Sequence, residues 1–143
     1  MIEYDCKEFK RDVVSLSNDI RSFAPQTIIA IARGGLTLAH SLSQSLDIRD
    51  VQVISAVSYS HDKQLSTIKI TNIPTISTSR ILVVDDIADS GRTFKEVMTI
   101  LKENNPSSEF KTASIFYKKS SIFQPDFRLK EAKEWIEFFW EKF

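Results

Sequence analysis

The stretch Ile81-Leu82-Val83-Val84-Asp85-Asp86-Ile87-Ala88-Asp89-Ser90-Gly91-Arg92-Thr93 constrains this chain more than any other. Its first four residues are apolar and mostly β-branched, which predicts a short strand buried on both faces, as inside a parallel sheet. Two adjacent carboxylates follow where that strand should end. A polar turn with one glycine comes next, and from Thr93 a run of Phe94, Val97, Met98 and Leu101 is spaced like the inner face of a helix. A strand that turns tightly into a helix leaves backbone N–H groups unpaired at the positive end of the helix dipole, a ready anion site. Asp85 and Asp86 cannot bind a phosphate themselves, but they suit ribose hydroxyls or a hard metal ion. Taken singly, the acids read as helix caps and Ser90-Gly91 as a plain turn. Together they describe an anion cradle beside paired acids, which suits a sugar phosphate.

The stretch resembles the PRPP-binding signature of type I phosphoribosyltransferases: a few apolar residues, two acids, three variable residues, then Ser/Thr-Gly-x-Thr. Arg92 stands where many members carry a second glycine. The resemblance implies a single-domain α/β fold over residues 1–143, with a mostly parallel sheet flanked by helices. It also implies a flexible lid loop at about 58–67 and a small C-terminal base-recognition segment at about 118–143.

Glycine usage points to the same places. A domain of 143 residues would average roughly ten glycines, but this chain has three, Gly34, Gly35 and Gly91. All three follow predicted strands, where backbone must approach a ligand or take positive φ. Thr27 to Ala32 is predicted as the first buried strand, Arg33-Gly34-Gly35 as its loop, and Leu36 to Leu46 as a helix. By itself this is also an ordinary βα turn. In the family the matching loop holds the pyrophosphate of PRPP through backbone amides and the arginine, often beside a non-proline cis peptide. Arg33 fits as a planar donor to phosphate oxygens, and Gly91 is expected to bring backbone against the 5′-phosphate.

The remaining bounds are simple. Lys plus Arg and Asp plus Glu balance at 19 each, so no global basic field invites nucleic acid. No apolar run is long enough to span a bilayer, and Met1 to Asp5 lacks the pattern of a signal peptide. A cytoplasmic protein is expected. One cysteine, Cys6, excludes an internal disulfide and is expected half-buried. Phe9, Val13, Leu16, Ile20 and Phe23 mark one helix face ended by Ala24-Pro25, and Lys10, Arg11, Asp12, Asn18 and Asp19 read as its solvated face.

Val51 to Val57 is predicted as a strand beside the first, and Ser58 to Thr67 as a long polar loop. Composition alone leaves a lid and a plain hairpin equally open. The family places a closing lid here, with Ser58 and Tyr59 matching a Ser-Tyr pair; where some relatives have an arginine, this chain has only Lys63 and Leu65. His61 has no partner at metal spacing. After a break at Asn104 to Ser108, Thr112 to Tyr117 is predicted as a strand, followed by Lys118 and Lys119. Periodicity makes Glu131 to Phe143 an amphipathic helix. The resemblance implies an extended segment instead, because Trp135-Ile136 and Phe139-Trp140-Glu141 match the purine-pocket segment of xanthine-guanine phosphoribosyltransferases.

The resemblance then implies an Mg²⁺-dependent salvage enzyme that moves the 5-phosphoribosyl group of PRPP onto xanthine, guanine or hypoxanthine and releases pyrophosphate. Asp85 and Asp86 would hold ribose hydroxyls or Mg²⁺, directly or through water. Asp89 would lie near purine N7. Ala88, Asp89, Ser90, Gly91, Arg92 and Thr93 would hold the 5′-phosphate. Lys118 would meet the 6-oxygen, Trp135 would stack on the base, and backbone near Ile136 would read its 2-position. A homodimer or homotetramer is implied, with no nucleic-acid partner and no integral membrane insertion. A PRPP- or nucleotide-sensing regulator on the same fold, or an enzyme for another base, stays open. A receiver domain, which also carries Val-Val-Asp-Asp, does not: after Asp89 the only aspartate is Asp126, outside any predicted buried strand.

Overall fold

The computed structural model describes residues 1–60 and 66–143. The apolar β-branched runs form the centre of a mostly parallel sheet flanked by helices. In chain order the elements are β1 (Ile2–Tyr4), α1 (Cys6–Ile20), β2 (Thr27–Ala32), α2 (Leu36–Leu46), β3 (Val51–Ser60), β4 (Ser66–Thr71), β5 (Arg80–Val84), β6 (Ile87–Ala88), α3 (Arg92–Asn104), β7 (Glu109–Tyr117), β8 (Phe127–Glu131) and β9 (Ile136–Phe138). The main sheet runs β4-β3-β2-β5-β7-β6, with β8 also on β7. Its pairings are parallel except for β3 with β4.

Alternation along β2 and β5 explains why both strands are apolar beyond their first residues, Thr27 and Arg80. Ile28, Ala30, Leu82 and Val84 face a core shared with α1 and α2. Ile29, Ile31, Ile81 and Val83 face a second core, under α3. From β2 the chain crosses to β3 through α2; from β5 it crosses the other way, to β7, through α3. The sheet order therefore reverses between β2 and β5, and the crevice at their carboxyl ends is where open α/β sheets take ligands.

Helix α1 starts where Asp5 accepts the Glu8 N–H at 2.8 Å, a side-chain cap. It ends through a 3₁₀ turn at Arg21–Phe23 and Ala24, which has φ 51°. Two expectations for this helix fail. Cys6 is exposed. Asp12 is buried, because β8 covers that part of α1 and brings Lys130 to it at 2.9 Å.

Of the loop expected over 58–67, the described residues 58–60 and 66–67 are strand. β3 continues through Ser58, Tyr59 and Ser60, and β4 pairs Ile68 with Ser58, Thr67 with Tyr59 and Ser66 with Ser60. Exposed hairpin strands carry polar side chains without penalty, which is why composition disguised them. His61, Lys63 and Leu65 lie outside the described residues. The C-terminal aromatics do not form a helix: β9 pairs parallel with β1, and only a 3₁₀ turn, Phe139–Glu141, follows. Among the described residues, no helix is long and apolar enough to cross a membrane.

Candidate active site

Three loops meet at the carboxyl ends of β2, β5 and β7. Asp85 and Asp86 sit just past β5, and the Asp86 N–H donates to Asp85 Oδ1 at 2.9 Å. Asp85 is half-buried and Asp86 is 7% exposed. Burial pushes the Asp85 carboxyl well above the usual range, and repulsion from Asp86 adds to it. Burial likewise pushes Asp86 up to about 6, and the charge of Glu141 pushes the same way. Two carboxylates held this way form a site short of positive charge.

The Arg33-Gly34-Gly35 loop lies directly against them. A Cβ on Gly34 would stand 2.8 Å from both Asp86 carboxylate oxygens and 2.9 Å from Asp85 Oδ1. The Ala32–Arg33 peptide is cis. Gly35 is not placed as an amide donor to a ligand, because its N–H donates to Ile31 O at 2.8 Å. Its lack of a side chain serves packing: a Cβ there would lie 2.4 Å from Val84 O.

On the other side of the acids, Ala88 to Thr93 turn into α3. Ala88 pairs with Tyr117 across β6 and β7. The Arg92 N–H donates to Ser90 Oγ at 3.3 Å, and Gly91, at φ 88°, precedes the helix without a side-chain cap. The fold adds a reason for glycine at 91 beyond the expected approach to a phosphate. Its Cα faces the turn after β7, and an added Cβ would lie 2.4 Å from Ser121 Oγ and 2.5 Å from Phe123 N. Arg92 sits 3.9 Å from Glu96 on the next turn of α3.

A cavity of about 320 Å³ opens beside Asp86 and Asp89, walled by Lys118, Trp135, Ile136, Phe138 and Glu141. Lys118 Nζ pairs with Asp89 Oδ1 at 2.7 Å. Trp135 is 72% exposed at the rim and Ile136 is buried. Lys119 points away, 3.7 Å from Glu131. A larger cavity, about 910 Å³, is lined by Arg33, Gly34, Ser58, Trp140 and Glu141. Tyr59, the next residue on β3, is 48% exposed and does not line it.

The geometry adds two groups to the site, Glu141, which the sequence named only within the Phe139-Trp140-Glu141 match, and Gln124. Glu141 borders both cavities and acts on Asp86; its place after Phe139-Trp140 was the available signal. Gln124 Nε2 donates to the carbonyls of Lys118 at 3.0 Å and Ser121 at 3.1 Å, holding the turn that carries Lys118. Nothing in its local sequence marked it.

The model of the family described as "Phosphoribosyl transferase domain" matches residues 4–142. This chain belongs to the phosphoribosyltransferase family. A xanthine-guanine phosphoribosyltransferase of Idiomarina loihiensis is 35% identical over 118 residues, spanning 80% of this chain and 70% of that protein. The solved xanthine-guanine-hypoxanthine phosphoribosyltransferase of Helicobacter pylori superposes with TM-score 0.92 at 40% identity, covering 98% of this chain and 93% of that one. A purine phosphoribosyltransferase of Pyrococcus horikoshii Ot3 gives TM-score 0.88 at 32% identity, covering 99% and 94%. The fold is thus the type I phosphoribosyltransferase fold that the Ile81 to Thr93 stretch implied.

Proposed function

We propose that this phosphoribosyltransferase acts in purine salvage, joining the 5-phosphoribosyl group of PRPP to xanthine, guanine or hypoxanthine and releasing pyrophosphate. One observation carries the choice of base: Asp89 and Lys118 stand side by side, 2.7 Å apart, on the wall of the smaller cavity. A carboxylate acceptor next to an ammonium donor complements the N7–H donor and 6-oxo acceptor of a 6-oxopurine. Adenine offers an amino group at the 6-position and would meet Lys118 donor to donor.

In this reading a ring nitrogen of the base bonds to C1 of the ribose as the bond from C1 to pyrophosphate breaks, through an oxocarbenium-like transition state. Asp89 accepts the imidazole proton, Lys118 donates to the 6-oxygen, Trp135 covers the base, and Ile136 backbone reads the 2-position. Residues Ala88 to Thr93 and the start of α3 hold the 5′-phosphate. Arg33 and the Gly34 amide hold pyrophosphate. Asp85 and Asp86 accept from the ribose hydroxyls. Ser58 and Tyr59, toward the far end of the β3–β4 pairing from Ser55 and Thr71, take part in shielding the site from water.

The acid pair also fits Mg²⁺, since hard carboxylate oxygens with unsatisfied negative charge suit an ion that binds through one or two carboxylates and substrate phosphates. Once bound, the ion would neutralise charge developing on the leaving pyrophosphate. A cytoplasmic homodimer or homotetramer completes the reading.

The test is a spectrophotometric panel with PRPP, Mg²⁺ and each of xanthine, guanine, hypoxanthine, adenine, uracil and orotate. Turnover of at least one 6-oxopurine with adenine largely ignored is expected. PRPP binding with no turnover of any base would instead establish a sensor, and preferential use of adenine or a pyrimidine would overturn the base assignment.

A further inference from the structure

The wall that carries Trp135 and Ile136 is not built on the main sheet. Among the described residues, β9 pairs only with β1, in a separate two-stranded sheet. The register sets Ile2 against Ile136, Glu3 against Glu137 and Tyr4 against Phe138. The Ile2 N–H donates to Trp135 O at 2.8 Å. In a parallel ladder the residue that bonds across does so to the two neighbours of its partner, while the partner's own N–H and C=O turn to the opposite edge. Ile2 thus occupies one edge of β9, and the backbone polar groups of Ile136 are turned to the other.

Tyr4 then locks this short strand in place. It is 1% exposed, and its ring meets Phe116, Phe138 and Trp140 edge-on at 5.1, 5.8 and 6.2 Å. Its hydroxyl donates to Asp12 Oδ2 at 2.5 Å, and Lys130 Nζ lies 2.9 Å from the same carboxylate oxygen. A buried tyrosine needs a partner for its O–H, and this one is tied to α1 and β8 at once. Burial, then the bond to Asp12, hold the phenol above its ordinary range, so it remains a donor.

We infer that β1 is a positioning element for base recognition: the Ile2 N–H and the Tyr4 side chain fix the height and orientation of the Trp135–Ile136 backbone against the purine, without touching it. The inference rests on the base site proposed above. It separates the two halves of the active site, because the loops assigned to PRPP are carried by β2 and β5, and neither strand pairs with β1.

The experiment compares steady-state kinetics of Ile2→Pro, which removes the N–H, and Tyr4→Phe, which removes only the hydroxyl, with those of Trp135→Ala. The KM for the 6-oxopurine should rise about five- to tenfold in Ile2→Pro and about threefold in Tyr4→Phe, the loss of roughly one hydrogen bond each. The KM for PRPP should stay within about twofold in both, since no phosphate contact is lost. Ile2→Val, which keeps the N–H, should restore the base KM. Equal rises in both KM values would show a merely structural role and overturn the inference. So would an unchanged base KM in both strand variants while Trp135→Ala raises it, an outcome that leaves the base site standing. If Trp135→Ala is silent as well, the base site and the inference fall together. Should Ile2→Pro not fold, Tyr4→Phe decides by the same criteria.

Discussion

Lys118 Nζ lies 2.7 Å from Asp89 Oδ1, an ammonium donor and a carboxylate acceptor side by side on the wall of the smaller cavity. Both side chains are substantially exposed, at 43% and 59%, and an exposed pair contributes little to folding. Lys118→Ala should therefore leave the melting temperature almost unchanged. It should raise KM for the base roughly 10- to 150-fold, the usual worth of a hydrogen bond to a charged group, with KM for PRPP little affected. Lys119→Ala, a change on the exposed neighbour paired with Glu131, should be silent. The reverse pattern in steady-state kinetics would move the base contact to Lys119.

The acid pair sets function against stability. Asp85→Asn and Asp86→Asn should each lower kcat/KM roughly 30- to 1000-fold, on the order of 2–4 kcal/mol of transition-state stabilisation. The same changes should raise the melting temperature of chelator-treated, ligand-free protein near pH 7.5. Asp86, held at about 6 in the fold, favours folding while protonated. That contribution is complete below its unfolded value near 4 and is lost as the pH rises through 6. Removing the charge should return on the order of 2 kcal/mol, several degrees, at neutral pH. Calorimetry should show the advantage of Asp86→Asn shrinking as the pH falls from 7.5 to 4; an advantage that grows on acidification would contradict the assigned shift.

Gly91→Val should destabilise the ligand-free protein. At φ 88° a branched side chain is strained, and its Cβ would enter the 121–123 turn. A cost of about 2 kcal/mol or more follows from the backbone alone, or roughly 6 °C. A thermal scan within one degree of wild type would contradict this geometry.

Gly34 and Gly35 should respond differently to alanine. At 35 the new Cβ meets backbone, Val84 O at 2.4 Å and Ile31 O at 2.9 Å, so Gly35→Ala should cost on the order of 2–4 kcal/mol of stability. At 34 it meets the ends of the Asp85 and Asp86 side chains, which can swing aside. Gly34→Ala should keep its melting temperature within a few degrees while kcat/KM falls at least about tenfold. Thermal scans paired with kinetics on the two variants test the contrast.

What could be read from residues alone followed from burial on two faces. Thr27 to Ala32 and Ile81 to Val84 announced central strands because no polar side chain interrupts them, and Phe94, Val97, Met98 and Leu101 announced α3 by their spacing. Residues whose conformation depends on distant partners were not legible from periodicity or charge pattern; around Trp135-Ile136 only the family resemblance implied the extended segment that β9 forms. Ile136, Glu137 and Phe138 alternate buried, half-buried and buried, a period of two, but that pattern is three residues long and lies inside a helical repeat of aromatics. Pairing with β1 decided the matter. Asp12 looked like one of several charges on a solvated face until β8 covered it. At Gly91 the sequence pointed to a phosphate, and the fold adds a further demand for glycine that no local pattern reaches: crowding from Ser121 and Phe123, about thirty residues onward in the chain.

The β1–β9 pairing also has a consequence in time. Translation delivers β1 among the first residues of this sequence, and its partner follows only after every strand and helix of the main sheet has been made. At ordinary elongation speeds the wait is on the order of ten seconds. Throughout it Tyr4 lacks Phe138 and Trp140, and for most of it Phe116 as well, while β2, β3 and β5 can already assemble around their own cores. A nascent chain halted before β9 would therefore carry a folded phosphate-side half with no base wall. Its N-terminal strand would be left unpaired, an open edge for chaperones or for another nascent chain.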